Sequence, residues 1–154
     1  LKEDDASVPQ KDGGWLYWWV YRPGAQYRRW LRKPVAGGSD AVILDETAEA
    51  EGKDYFRLGT MEVSPDGRLL AWTADTSGAE RFTLRIRDRG PGIALAVAEQ
   101  LGKPFVTTKG KGLGLGLFLS HATIERAGGD IRLFNHPDGG TEAVLRLPID
   151  RTTA

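Results

Sequence analysis

Cysteine is absent from the 154 residues. That excludes disulfides, thiolate chemistry and thiolate-based zinc sites. Histidine occurs only at 121 and 136, and two isolated histidines make no metal site. No charge sign is in excess: 21 basic and 21 acidic groups leave a formal net charge of +0. Residues 1–88 carry 13 basic against 15 acidic groups, net −2, and residues 89–154 carry 8 against 6, net +2. Neither half has the basic balance of an electrostatic nucleic-acid binder, so no nucleic-acid partner is expected. No apolar run reaches membrane-spanning length, so no membrane segment and a cytoplasmic location are expected. No leader is visible and the chain starts at Leu1, so it reads as an excerpt. Three glycine motifs are missing as well. Without Gly-x-x-x-x-Gly-Lys-Ser/Thr there is no P-loop. Without Gly-x-Gly-x-x-Gly there is no dinucleotide fingerprint. Without Gly-x-Ser-x-Gly there is no hydrolase nucleophile elbow.

What is present suits a soluble globular chain, with 40% hydrophobic and 27% charged residues. The aromatics are uneven. All five Trp (15, 18, 19, 30, 72) and all four Tyr precede residue 83, while Phe105, Phe118 and Phe134 alone follow Asp88. The shift suggests two sequence origins. Trp15–Tyr21 and Tyr27–Arg32 are strand-like runs around Arg22-Pro23-Gly24-Ala25, the pattern of a hairpin. Ala41–Leu44 is a third short strand, and Thr47–Glu51 predicts one helical turn stopped by Gly52. Met61–Val63 leads into Ser64-Pro65-Asp66-Gly67, where Pro presets φ and Gly permits the left-handed region. Leu69–Thr73 and Phe82–Arg87 flank a second turn, Asp75-Thr76-Ser77-Gly78. Short strands with regular turns predict an all-β sheet or a propeller blade.

The stretch from Thr83 to Leu117 has a different character. A β-rich run ends at Asp88, and Gly90-Pro91-Gly92, an apolar helix-like segment over 94–101 and Pro104–Lys109 follow. Glycines then stand at 110, 112, 114 and 116, with Lys109 and Lys111 beside the first. Alternate glycines allow amides to approach a ligand closely. A helix over Leu113–Ala127 would add a positive dipole end. Amides, dipole and cation are what a phosphate needs. Leu115, Leu117, Leu119, Ile124 and Ala127 are the helix's core candidates, and His121 reads as a surface or packing histidine. Ile131, Leu133, Val144, Leu145 and Leu147 predict a closing hairpin across Pro137-Asp138-Gly139-Gly140.

Asp88-Arg89-Gly90-Pro91-Gly92-Ile93 resembles the first glycine box of the sensor histidine kinase ATP-binding domain, the Bergerat or GHKL fold. Pro104–Lys109 resembles its phenylalanine box, and Gly110–Leu117 its second glycine box. The segment SHATIERAGGDIRLFNHPDGGTEAVLRLP is similar to the end of that domain, as in the RegB-like kinases. The resemblance covers roughly residues 83–149. It implies ATP as ligand and a response regulator as partner of the parent kinase. By resemblance Asp88 accepts from the adenine amino group and Gly92 makes room for the ring, with Gly90 in the same binding box; the alternative for Asp88 is a cap or turn residue. Thr141 matches the threonine near adenine, or simply starts a strand. Gly112, Gly114 and Gly116 line the phosphates, with Gly110, Leu113 and Leu115 in the same binding box and Lys109 and Lys111 as cations or as solvated surface lysines. Phe105 packs beside the ATP lid, or in an ordinary core. The family's N-box helix, whose Asn holds Mg²⁺, is missing upstream, because the only Asn is Asn135. The phosphoacceptor domain is missing too, so no catalytic residue is assigned. Phosphoryl transfer depends mainly on positioning and on metal and cation charge, so an incomplete, non-transferring module is expected.

Residues 4–88, from DDASVP through WLYWWVYRPGAQYRRWLRKP to TLRIRD, resemble the N-terminal propeller region of oligopeptidase B, of the prolyl oligopeptidase family. The family's hydrolase domain is absent from the match, so no peptidase residue carries over. The two resemblances meet at Thr83–Asp88. The expected fold is α+β: a β-rich, propeller-blade-like piece over 1–82, a truncated Bergerat-type α/β layer over 83–150 and a tail over 151–154. The whole reads as a chimera of two truncated fragments. Leu69–Asp88 is expected to form a hairpin that continues the sheet of Ile131–Phe134 and Ala143–Leu147.

Overall fold

The computed structural model describes residues 5–98, 103, 115–137 and 139–148. The chain divides into two units, Leu1–Leu58 with Asp75–Arg81, and Gly59–Ala74 with Phe82–Ala154.

The first unit holds an antiparallel sheet in the order β1-β2-β3-β4. Its strands are β1 (Gln10–Asp12), β2 (Trp15–Tyr21), β3 (Arg28–Pro34) and β4 (Ala41–Asp45). The sequence gives no apolar signal for β1, which is Gln-Lys-Asp. It forms because Gly13, at φ 54°, turns the chain so that Asp12 pairs with Trp15. The predicted hairpin is β2–β3, with a register running from Trp15↔Pro34 to Tyr21↔Arg28. Strand alternation puts Trp15, Tyr17, Trp19 and Tyr21 on one face. Cations lie over two of these rings: Arg32 is 4.0 Å from the Trp15 centroid and Arg28 4.6 Å from that of Trp19. Such contacts contribute ~0.5–1 kcal/mol each where solvent reaches them. In β4 the register slips, with Trp30 opposite Leu44 and Leu31 opposite Val42. Ile43 is the extra residue of this bulge, so consecutive Ile43 and Leu44 are both buried. Strict alternation would have exposed one of them.

Helix α1 (Glu46–Ala50) follows at once. Asp45 caps it, its Oδ1 accepting from Thr47 N at 3.1 Å. The other oxygen, Oδ2, accepts from Arg29 Nε at 2.9 Å and pairs with Arg22. Burial pushes the Asp45 carboxyl up, but Arg29 and Arg22 outweigh burial and hold it below the usual carboxylate range. Buried Glu46 accepts from Trp30 Nε1 at 2.7 Å, so the cap and first turn tie α1 to β3. Asp75 heads the predicted Asp75–Gly78 turn, its Oδ1 accepting from Ser77 N at 2.8 Å and its Oδ2 from Glu80 N at 2.9 Å. Burial opposes ionisation of Asp75 as well, and the Ser77 and backbone hydrogen bonds overcome it, leaving the pKa lowered.

Folded-state pKa values below the unfolded one stabilise the fold above pH ~4, and that stability drains away as pH falls through the folded values. We expect the urea midpoint to hold between pH 7 and 5 and to drop below pH ~4. Asp45→Asn should lose about 1–2 kcal/mol at pH 7, allowing for the partial exposure of Arg22, and should titrate less steeply in acid. An unchanged acid limb in that variant would exclude Asp45 as a contributor.

A second sheet, nearly all of it in the second unit, has the order β5-β6-β7-β9-β8. Its strands are β5 (Arg57–Val63), β6 (Leu69–Asp75), β7 (Phe82–Asp88), β8 (Asp130–Asn135) and β9 (Thr141–Arg146). The turn between β5 and β6 is the predicted one: Gly67 N donates to Ser64 O at 2.7 Å, with Gly67 at φ 69°. Strands β7 and β9 are antiparallel, Leu84↔Leu145 through Arg87↔Glu142, and β8 and β9 form the closing hairpin. The expected continuity of Leu69–Asp88 with the C-terminal hairpin is therefore observed. Leu147 lies beyond β9, not within it. On β6 the alternate residues Leu70, Trp72 and Ala74 are buried, as is Val144 on β9.

Two helices belong to this unit, α2 (Leu95–Ala98) and α3 (Gly116–Arg126). Helix α3 packs on β8. The expectation of a helix core at Leu115, Leu117, Leu119, Ile124 and Ala127 is corrected: none is buried, and Leu119 is 56% exposed. An edge strand offers α3 only a narrow line of contact among the described residues. The described chain is thus β-rich, with two antiparallel sheets and short helices. Among the described residues no helix is long and apolar enough to cross a membrane.

Candidate functional site

One end of the second sheet gathers the last residue of β7, the last of β8 and the first of β9. Asp88 closes β7, and its Oδ1 accepts from Gly90 N at 2.6 Å and from Thr141 N at 3.2 Å. The carboxylate therefore turns the chain at Gly90 and holds the start of β9. Gly140, before Thr141, is buried at φ 88°. A Cβ there would run into the Asp88 carbonyl oxygen and lie 2.8 Å from its carbon. Only glycine allows this approach of the two backbones. His136 N donates to Gly140 O at 2.9 Å and Gly139 N to His136 O at 3.0 Å, which closes the turn from the other side.

Asn135 ends β8 and reaches back to the Gly-Pro-Gly segment. Its Oδ1 accepts from Ile93 N at 2.7 Å and its Nδ2 donates to Ile93 O at 2.8 Å. Gly92 has φ 82°, and a Cβ on it would lie 2.8 Å from Asn135 Oδ1. Below this rim, Arg87 Nη1 lies 2.9 Å from His136 Nε2. Arginine can only donate, so Nε2 accepts. The same guanidinium lies 5.4 Å from the ring centroid of buried Trp72. Two positions from Arg87, Arg85 Nη1 pairs with buried Glu142 Oε1 at 2.5 Å.

Of the residues expected at a nucleotide site, Asp88, Gly90, Gly92 and Thr141 thus come together. Leu115 precedes α3 and makes no side-chain capping bond, and Gly116 opens the helix. Among the described residues no hydrogen bond joins those two to the Asp88 cluster. Phe105, Lys109, Gly110, Gly112, Leu113 and Gly114 lie outside the described residues. The sequence reading assigned no role here to Asn135, Gly140 or His136. Gly140 had a signal, a Gly-Gly pair directly before a strand. Asn135 had none, because its partner is 42 residues away. No group of three or more His, Asp or Glu that could hold a metal occurs among the described residues.

Comparison with known proteins finds relatives of two kinds. Residues 1–111 match the family described as prolyl oligopeptidase, N-terminal beta-propeller domain. Dipeptidyl aminopeptidase BI of Pseudoxanthomonas mexicana is 36% identical over 108 residues, 60% of this chain and 15% of that protein. The solved structure of oligopeptidase B from Leishmania major is similar at a TM-score of 0.54 and 26% identity, over 57% of this chain and 13% of that one. A second kind of relative is the signal transduction histidine-protein kinase AtoS of Escherichia coli, 38% identical over 88 residues, 57% of this chain and 14% of that protein. The chain therefore spans only about a seventh of each of these relatives.

Proposed function

The chain belongs to the prolyl oligopeptidase N-terminal β-propeller domain family, and from that premise we propose that it is a non-catalytic propeller portion of a peptidase of that family. The observation that carries this is the family match over residues 1–111. The antiparallel β1-β2-β3-β4 sheet and the likeness to oligopeptidase B support it. The chain's part is then structural: strands that stand beside further blades. Peptide hydrolysis of the α/β-hydrolase kind would need a nucleophile elbow, and no Gly-x-Ser-x-Gly exists in the sequence. The purified chain should leave peptides carrying Arg or Lys uncut. Cleavage after either residue would overturn the non-catalytic assignment.

A second reading has its own support. The cluster of Asp88, Gly90, Gly92 and Thr141, with the 38% identity to a histidine kinase, favours an adenine-nucleotide module in the second unit. Asp88 Oδ1 is engaged by two amides, so Oδ2 would be the oxygen that takes the adenine amino hydrogen. Positive φ at Gly92 brings the loop close without a side chain in the way of the ring. Mg²⁺ would matter less than in an intact kinase, because Asn135 holds Ile93 and no other Asn exists. A response regulator belongs to this reading only as the parent kinase's partner. The chain would then be a chimera of the two families, meeting at Thr83–Asp88.

Thermal unfolding with nucleotide separates the two readings. Ligand at a hundred times its dissociation constant adds about 2.7 kcal/mol, a rise of several degrees for a domain of this size. The propeller reading alone expects no shift with millimolar ATP or ADP. A saturable shift with either would bring the nucleotide module forward.

A further inference from the structure

The bidentate contact between Asn135 and Ile93 has no role in the propeller reading. Paired strands satisfy a residue's N–H and C=O through a neighbouring backbone. Here one side chain does this for Ile93, with bonds of 2.7 and 2.8 Å. The carboxamide suits the task, since it offers one acceptor and one donor side by side. Asn135 is exposed, so its polar head fills no core. The Gly90–Ile93 loop is thereby fixed at both ends, by Asp88 at Gly90 and by Asn135 at Ile93. Gly92 lies between, at a φ of 82° that brings its backbone against Asn135.

We propose that Asn135 is a positioning residue for an adenine ring: it holds the Gly90–Ile93 loop in the binding shape before ligand arrives. The proposal rests on the nucleotide-binding reading. Asn135 acts through Gly92 and Ile93, not by touching the base. It therefore affects adenosine and ATP alike, since neither phosphate nor cation is involved. An ordered loop also avoids the ordering cost at the moment of binding.

The test compares wild type, Asn135→Ala and Asn135→Asp, with adenosine as the probe and guanosine as the control. Amide exchange at Ile93 is read without ligand. Losing the clamp should speed Ile93 exchange and weaken adenosine by roughly three- to tenfold. Asn135→Asp keeps the acceptor for Ile93 N–H and sets an oxygen against Ile93 O. Its Ile93 exchange should stay near wild type while adenosine binding falls between the other two. A purely structural role would lower the melting temperature in both variants and leave adenosine affinity unchanged below the transition. Equal adenosine affinity in wild type and Asn135→Ala overturns the positioning role and spares the nucleotide reading. Failure of wild type to bind adenosine overturns both.

Discussion

Gly140→Ala should destabilise the second unit by about 3–5 kcal/mol. Two costs combine. At φ 88° an alanine is strained by roughly 1–3 kcal/mol. Its Cβ would also run into the Asp88 carbonyl and lie 3.1 Å from Arg89 Cα. Backbone cannot rotate away as a side chain can, so β7 and β9 would have to separate. Gly139 is the internal control. Its φ is 90°, yet a Cβ there meets nothing nearer than Gly90 O at 3.9 Å. Gly139→Ala should therefore show the strain alone, about 1–2 kcal/mol. Urea unfolding of both variants measures the difference, provided the m-values agree. Equal losses in the two would mean that the close approach of Gly140 to Asp88 costs nothing.

Trp72→Ala should lose about 3–5 kcal/mol, as large aromatic deletions in a core do. Trp72 is 1% exposed in the middle of β6, between buried Leu70 and Ala74. Arg87 covers its ring, so deletion also removes a cation–π contact. The indole N–H has no hydrogen-bond partner among the described residues. An unpaired buried donor costs about 1–3 kcal/mol. Phenylalanine removes that donor while it keeps a ring under Arg87. Trp72→Phe should therefore lose only about 1 kcal/mol or less, the smaller ring volume being partly offset. A loss in Trp72→Phe well above ~1 kcal/mol would count against an unpaired indole N–H.

Much of this was legible in the sequence, for identifiable reasons. Trp15–Tyr21 and Arg28–Pro34 carry their own strand propensity around a Pro-Gly turn, so hairpin β2–β3 follows from local signals. The Ser64–Gly67 turn is equally local. Strand β1 was not legible, because Gln-Lys-Asp pairs through backbone only and the Gly-Gly turn after it was the one clue. The bulge that buries Ile43 beside Leu44 was hidden too, since register depends on the partner strand. At the site, glycine spacing and Asp88 singled out the Asp88–Gly92 loop, and the structure ties that loop to β8 and β9. The two amides that occupy Asp88 come from Gly90 and from Thr141, and only the folded sheet brings Thr141 there. The exposed side of α3 is the plainest difference: Leu119 has a helix-core residue type, while β8 offers contact to only part of the helix surface.

The order β5-β6-β7-β9-β8 also sets a timetable. In the first sheet every strand pairs with its sequence neighbour, so each can close as it leaves the ribosome. Strand β7 pairs with β6 at once, but its other edge waits for β9. Arg85 and its partner Glu142 are 57 residues apart. At about 5–20 residues per second, that is a delay of roughly 3–11 s. Through that delay β7 presents open N–H and C=O groups beside Leu84 and Ile86, the kind of edge that recruits other chains. Translation that stalls anywhere between Asp88 and Thr141 would leave that edge open, and co-translational aggregation would begin at β7.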